Sequence, residues 1–183
     1  SELEEVEKRA EELARTLEEL NRDVNRRLEE LLRRLEKINR TVNDELRKLL
    51  EELKDVRRRG KKDVEETLKR VEDRAEELVR EVKERTKEVV RRAAELVRKV
   101  VEDSRRVAEE IRELAREVAE RVESKEDLDR LDKRVRDIVR DLERINEETR
   151  KTLEEIRERL ERILKRTEEN LKEIKEEVRK DEK

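Results

Sequence analysis

The chain has 183 residues, 60% of them charged and 31% hydrophobic, with one glycine and no aromatic residue, histidine, proline, methionine or cysteine. Its 53 basic and 56 acidic residues are interleaved, so the net charge of −3 creates no large field for nucleic acid or an anionic membrane. No apolar run approaches the roughly 20 residues of a membrane span and no signal peptide precedes the first charges, so we expect a soluble protein of long helices.

The first predicted helix covers about 2–59. Apolar residues recur every three or four positions from Leu3 to Val56, the period of an amphipathic helix. A doubled spacing of four, at Leu20, Val24 and Leu28, returns eighteen residues later at 38, 42 and 46. Eighteen residues make five turns at about 3.6 residues per turn, the period of an unstrained helix. We therefore expect nearly straight helices, each about 85 to 90 Å long at about 1.5 Å per residue.

The second predicted helix covers about 63–122 and keeps the same repeat. A basic last turn and Gly60 end the first helix, and Asp63 with Glu66 forms a capping box for the second. The basic run 57–62 could also bind phosphate or act as a nuclear localisation signal. Because a helix C-terminus favours positive charge, we assign this run to helix termination. The repeat is marked by valines at 64, 82, 100 and 118.

The third predicted helix covers about 125–181. Ser124 can cap it, acidic residues occupy its first turn, and the apolar phase restarts at Leu128. Helices of equal length joined by short loops lie antiparallel to their neighbours. The predicted fold is therefore all-α, a single-chain up-down-up three-helix bundle that occupies residues 1–183 as one elongated domain.

Six asparagines and several small hydroxyl residues lie on or beside the apolar stripes. Facing residues of an antiparallel pair have a constant index sum, which predicts that these polar residues meet in two layers about 27 Å apart. The first predicted layer contains Asn21, Asn25, Ser104, Asn146 and Thr149. The second contains Asn39, Asn43, Thr86, Thr167 and Asn170. The alternative is that asparagines at the stripe edge face water.

Residues for catalysis are scarce. Histidine, cysteine and tyrosine are missing, and the serines Ser1, Ser104 and Ser124 have no histidine to activate them. Di-metal bundles project carboxylates inward, whereas no core position here is predicted to be acidic. We predict no catalytic, cofactor-binding or metal-binding residue, no cofactor and no enzymatic activity.

Three equal helices, an eighteen-residue repeat and surfaces of Glu, Lys and Arg together resemble a de novo designed helical bundle, generated from ideal helix geometry. Natural three-helix rods such as spectrin repeats carry buried aromatics and irregular spacing, which this sequence lacks. The resemblance implies a hyperstable structural scaffold without a natural biochemical function. It also implies a synthetic protein expressed in a cytoplasmic host, without a targeting signal.

The second helix is unusually rich in apolar residues, with adjacent pairs such as Val89–Val90 and Val100–Val101. Such a wide stripe predicts either a helix that packs against both neighbours or a face for another molecule. We expect the first, and hence a monomer that needs no partner and binds neither nucleic acid nor membrane. The alternative is an oligomeric assembly component, such as a homo-oligomer formed through helix 2, or a binding module.

Overall fold

A computed structural model of the chain describes residues 1–60 and 64–180. It contains three α-helices: α1 (Glu2–Arg59), α2 (Val64–Ala119) and α3 (Lys125–Arg179). The described part of the chain has no strand, and no helix in it is long and apolar enough to cross a membrane. Asp63, the predicted cap of the second helix, lies outside the described residues, as does the predicted end of the third helix at 181.

Two helices begin at a serine that accepts hydrogen bonds from their first turn. The Ser1 hydroxyl accepts from the Glu4 N–H, and the Ser124 hydroxyl accepts from the Asp127 N–H, both at 3.4 Å. Each bond satisfies one of the N–H groups that a helix N-terminus leaves without an internal partner. Ser124 therefore caps α3, as its position before an acidic turn predicts.

The helix C-termini end in different ways. Gly60 follows the basic last turn of α1 with φ of 60°, a left-handed conformation that glycine adopts without steric penalty. No glycine follows α2, which ends at Ala119 and not at the predicted 122. The Val118 carbonyl accepts from both Arg121 and Val122, at 3.0 and 3.2 Å. The i→i+3 bond tightens the last turn, so the chain leaves the α-helix early.

The described residues form two compact units, each containing parts of all three helices. The first unit consists of Ser1–Glu29 and Ala93–Glu154, and the second of Glu30–Arg92 and Glu155–Lys183. Nonpolar side chains from every helix fill the interior of each unit, so each has its own core.

In the first unit, α1 and α3 run in the same direction. Arg130 donates to Glu7 at 3.0 Å, and Arg134, four residues further along α3, donates to Glu11, four residues further along α1. The hydrogen bond to the Glu7 carboxylate raises the pKa of Arg130 above its usual value. The core of this unit includes a cluster of buried residues: Leu3, Ala10, Leu17, Ile111, Val118, Leu131, Val135, Ile138, Val139 and Leu142.

In the second unit, α2 runs opposite to α3. Lys83 pairs with Glu168 at 3.6 Å, whereas Lys175, further along α3, pairs with Glu76, earlier in α2, at 3.4 Å. The three helices therefore form an up-down-up three-helix bundle, as predicted. Fully buried side chains of this unit include Leu35, Leu46, Leu53, Val71, Ala75, Val82, Ile156 and Ile174.

The wide apolar stripe of α2 is largely buried within the units. Val100 and Val101 are both buried in the first unit, and Leu78 and Val79 are both buried in the second. Adjacent helical residues point about 100° apart, so both can be buried only where the helix contacts neighbours on two sides. The breadth of the stripe is therefore consistent with a helix packed against two partners.

One residue of the predicted core is on the surface. Leu20, placed in the apolar stripe of α1 by its spacing, is 45% exposed, whereas the adjacent Asn21 is only 4% exposed. The prediction for Leu20 is wrong because, at this turn of α1, the Asn21 side chain points towards the core and the Leu20 side chain points towards solvent. The buried position at this turn is therefore polar.

Candidate functional site

Four buried polar residues form hydrogen bonds between the helices of the first unit. The Thr149 hydroxyl, on α3, lies 2.8 Å from the Asn21 amide oxygen on α1. The Asn146 amide, one turn earlier on α3, donates to the Ser104 hydroxyl on α2 at 2.8 Å. All four residues are buried. Together these contacts join α3 to both other helices, in a core that is otherwise apolar.

Thr149 illustrates how a hydroxyl group is accommodated inside a helix. Its oxygen also lies 3.0 Å from the Ile145 carbonyl, one turn earlier. Because the hydroxyl has one proton, it can donate either to its own helix or to Asn21. Donation to Asn21 pairs both buried groups, whereas donation to Ile145 would leave the Asn21 oxygen without this donor, at the roughly 1 to 3 kcal/mol cost of an unpaired buried polar group.

The second unit contains a polar cluster centred on Asn43, which is 3% exposed. Its amide nitrogen donates to the side-chain oxygen of Asn39 at 2.6 Å and to the Thr167 hydroxyl at 3.3 Å. Its amide oxygen accepts from Asn170 at 2.8 Å. Asn43 therefore uses both its donor and its acceptor groups, and two of its contacts reach α3.

The remaining predicted layer residues behave differently. Thr86 is fully buried in the second unit, but its hydroxyl donates to the Val82 carbonyl of its own helix at 2.5 Å. Within residues 1–60 and 64–180, it has no hydrogen bond to α1 or α3. A threonine that bonds the carbonyl four residues earlier needs no partner on another helix. Asn25 is half-buried, and its side chain has no hydrogen bond to the described residues.

The two asparagines of each α1 repeat have opposite environments in the two units. Asn21 is buried and Asn25 half-buried, whereas Asn39 is half-buried and Asn43 buried. Asn39 supports Asn43 along the same helix, and it has no hydrogen bond to α2 or α3 in the described chain. Equal positions in the repeated sequence thus do not have equal contacts.

A buried carboxylate was missed by the sequence analysis. Glu177 is 8% exposed and lies 3.7 Å from Arg57 in the second unit. The Arg57 guanidinium also donates to the Val178 carbonyl at 3.3 Å. The prediction that no core position is acidic is therefore wrong. Glu177 follows Ile174 by three residues and so continues the apolar spacing, which was the available signal.

The carboxylates of the described chain do not converge on a metal-binding arrangement. No group of three or more acidic side chains in residues 1–60 and 64–180 is placed to hold a metal ion. Glu177 is paired with Arg57 and with Lys180, at 3.7 and 3.0 Å. The arrangement of Glu177 is that of a structural ion pair.

The fold is similar to that of a computationally designed three-helix bundle. The two chains share 20% sequence identity with a TM-score of 0.61, over 98% of this chain and 86% of the other. No protein-family model and no curated protein matches the sequence. The likeness establishes the fold, a three-helix bundle. Inside this chain's bundle, the side chains of Asn21, Asn43 and Asn146 form hydrogen bonds between helices.

Proposed function

We propose that this protein is a de novo designed structural scaffold, a hyperstable helical rod without a natural biochemical function. The likeness to a designed bundle supports this proposal, as does the lack of a matching natural family. The composition supports it too, since a chain without aromatics, histidine or cysteine but with regular apolar spacing is typical of idealised helices.

The observation that carries the proposal is the set of buried hydrogen bonds. An apolar core does not require these polar pairs, which are Asn21 with Thr149, Ser104 with Asn146, and Asn43 with Thr167. Such polar groups distinguish one helix alignment from another, because a shifted alignment leaves them unpaired. In the proposed function, the two predicted layers specify register and prevent exchange of helices between molecules.

The scaffold is proposed to be a soluble monomer, made in a cytoplasmic host, without cofactor, nucleic acid or membrane partner. Light scattering at micromolar concentration tests its oligomeric state. A mass near the 22.4 kDa of one chain supports the scaffold. A clean multiple of that mass would instead support an oligomeric assembly component.

Thermal unfolding provides a second test. We expect the midpoint to exceed about 90 °C, because long helices and strong surface helix formers accompany a core of Leu, Val and Ile in each unit. Circular dichroism at 222 nm should therefore change little on heating. A cooperative transition near about 55 °C, the ordinary mesophilic range, would contradict hyperstability.

We also propose that the protein is not an enzyme. General acid–base and nucleophilic catalysis often use His, Cys or Tyr, which this chain lacks, or Lys and carboxylates held in a dry pocket, and its buried carboxylate is paired with Arg57 and Lys180. A second candidate function is that of a binding module. One specific observation favours it, a groove between α2 and α3 in the first unit.

A further inference from the structure

A groove opens between α2 and α3 within the first unit. One stretch has a volume of about 460 Å³, with Ala115 and Ala119 on its α2 side and Leu128 and Val139 on its α3 side. A second stretch of about 550 Å³ shares Val139 and continues towards Ala108. The first stretch has nonpolar side chains along its bottom, whereas the second also contains the buried Ser104 and Asn146 pair, and charged side chains line the edges of both.

Small side chains on α2 account for this opening. Ala108, Ala115 and Ala119 are half-buried and carry only a methyl group, so they fill little of the space beside α3. On the α3 side, Leu128 is half-buried, whereas Val139 is buried at the bottom of the groove. Some nonpolar surface, including that of Ala115 and Leu128, is therefore accessible from the open side of the groove.

Charge at the edges distinguishes this groove from the α1–α3 seam of the first unit. Across the α1–α3 seam, Arg130 and Arg134 pair with carboxylates of α1. Beside the first stretch of the groove, Arg112 and Arg116 of α2 and Arg140 of α3 have no ion-pair partner among residues 1–60 and 64–180.

The other charged residues of this stretch do not neutralise these arginines. Arg136 pairs only with Asp132 of its own helix, at 2.7 Å. The four arginines of the stretch face two carboxylates, Asp132 and Glu143, so its edges carry a net charge of about +2. The second stretch has three arginines and three glutamates, so only over the first stretch does an occupant need negative charge on its flanks.

The dimensions of the groove fit an α-helix. The two stretches follow α2 from Ser104 to Ala119, which corresponds to about 22 Å at about 1.5 Å per residue. A small-molecule pocket encloses most of its ligand, whereas this groove stays open to solvent along its side. Two adjacent helices with an apolar groove between them are a recurrent binding site for a further amphipathic helix.

We propose that this groove binds an amphipathic α-helix of another protein, with an apolar stripe flanked by Glu or Asp. The apolar stripe would lie over the alanines of α2, and its acidic flanks would pair with Arg112, Arg116 and Arg140. A second copy of this chain is a poorer occupant. Two such grooves meeting around a two-fold axis would place like charge against like charge.

Binding of two synthetic peptides tests the proposal. The first is a peptide of about 18 residues with leucines at i, i+4, i+7 and i+11 and glutamates on both flanks. The matched control has lysine at each glutamate position. Fluorescence anisotropy against the full chain should give a Kd at least about tenfold lower for the glutamate peptide. Equal affinity for the two peptides, or no binding up to about 1 mM, would overturn the proposal.

Two variants separate the charge of the groove from its shape. A triple variant should reverse the preference for the glutamate peptide, so that the lysine peptide binds more tightly. Its substitutions are Arg112→Glu, Arg116→Glu and Arg140→Glu. Ala115→Leu with Ala119→Leu should weaken the glutamate peptide by at least about tenfold, because the larger side chains occupy its space. Unchanged circular dichroism would establish that each variant is folded. If the charge variant keeps the original preference, the proposed arginine contacts are wrong.

Sedimentation velocity over a range of protein concentrations tests the competing occupant. A dimer that forms with increasing concentration and is lost in the Ala115→Leu, Ala119→Leu variant would overturn the proposal in favour of a second copy. A chain that stays monomeric while it binds the glutamate peptide supports it. The scaffold function does not depend on this result, since a failure to bind peptide changes neither the mass nor the thermal midpoint.

Discussion

Leu28→Ala is expected to lower the free energy of unfolding by about 2 to 5 kcal/mol. The Leu28 side chain is fully buried in the first unit, so its removal exposes a cavity as well as losing hydrophobic transfer energy. Denaturation in guanidinium chloride measures this difference in the free energy of unfolding, provided that both proteins have the same m-value. Guanidinium is preferred to heat because the expected midpoint lies close to the boiling point of water.

Leu20→Ala is the matched control for this substitution. Leu20 lies on the same helix and in the same unit, but it is 45% exposed. Its truncation is expected to change the free energy of unfolding by no more than about 0.5 kcal/mol, the usual range for surface sites. Equal losses at the two positions would contradict the inward direction assigned to α1, and a larger loss at Leu20 would restore the spacing-based prediction.

Removing the polar residues of the core is expected to separate stability from specificity. Asn43→Ala alone should cost about 1 to 3 kcal/mol, because the side chains of Asn39 and Asn170 lose their hydrogen bonds to Asn43. Replacing Asn43, Thr167 and Asn170 together with Leu, Val and Leu should leave the free energy of unfolding equal or higher. An apolar core of similar volume often matches a polar one. Guanidinium denaturation of the single and triple variants measures both effects.

Specificity is expected to suffer when both predicted layers are replaced. An eighteen-residue repeat allows a helix to slide by one repeat and still bury apolar residues, whereas mismatched polar residues penalise that shift. The fully apolar variant should therefore give several species in size-exclusion chromatography and light scattering. If it stays monodisperse with an unchanged crystal structure, the proposed role in register is wrong.

The sequence predicted the elements of the fold but not the exact face that each helix buries. Spacings of three and four identified three helices and most of the core, and Ser124 marked the start of α3. Leu20 and Asn21 are neighbours about 100° apart, and a small rotation of α1 decides which of them is buried. That rotation depends on packing against α2 and α3, which no local pattern encodes.

For the polar residues, too, the sequence predicted the positions but not the hydrogen-bond partners. Their positions in the apolar stripe were visible in the sequence, whereas the partner of each group depends on side-chain rotamers. Thr86 could reach either α1 or its own Val82 carbonyl, and the structure has the second contact. Glu177 was overlooked because an acidic residue at core spacing is rare unless paired, and Arg57, its partner, lies on another helix. The groove between α2 and α3 depends on interhelical separation, which spacing does not give.

Side-chain amide exchange of the asparagines tests most directly whether polar core residues are held by cross-helix hydrogen bonds. In ¹⁵N-resolved NMR, the amide protons of Asn43 and Asn146 should exchange slowly with solvent, because they are buried and bonded to Thr167 and Ser104. Asn25, half-buried and without a bond to the described residues, should exchange quickly and serves as the internal reference. If all three asparagines exchange at the same fast rate, the buried hydrogen bonds are absent in solution.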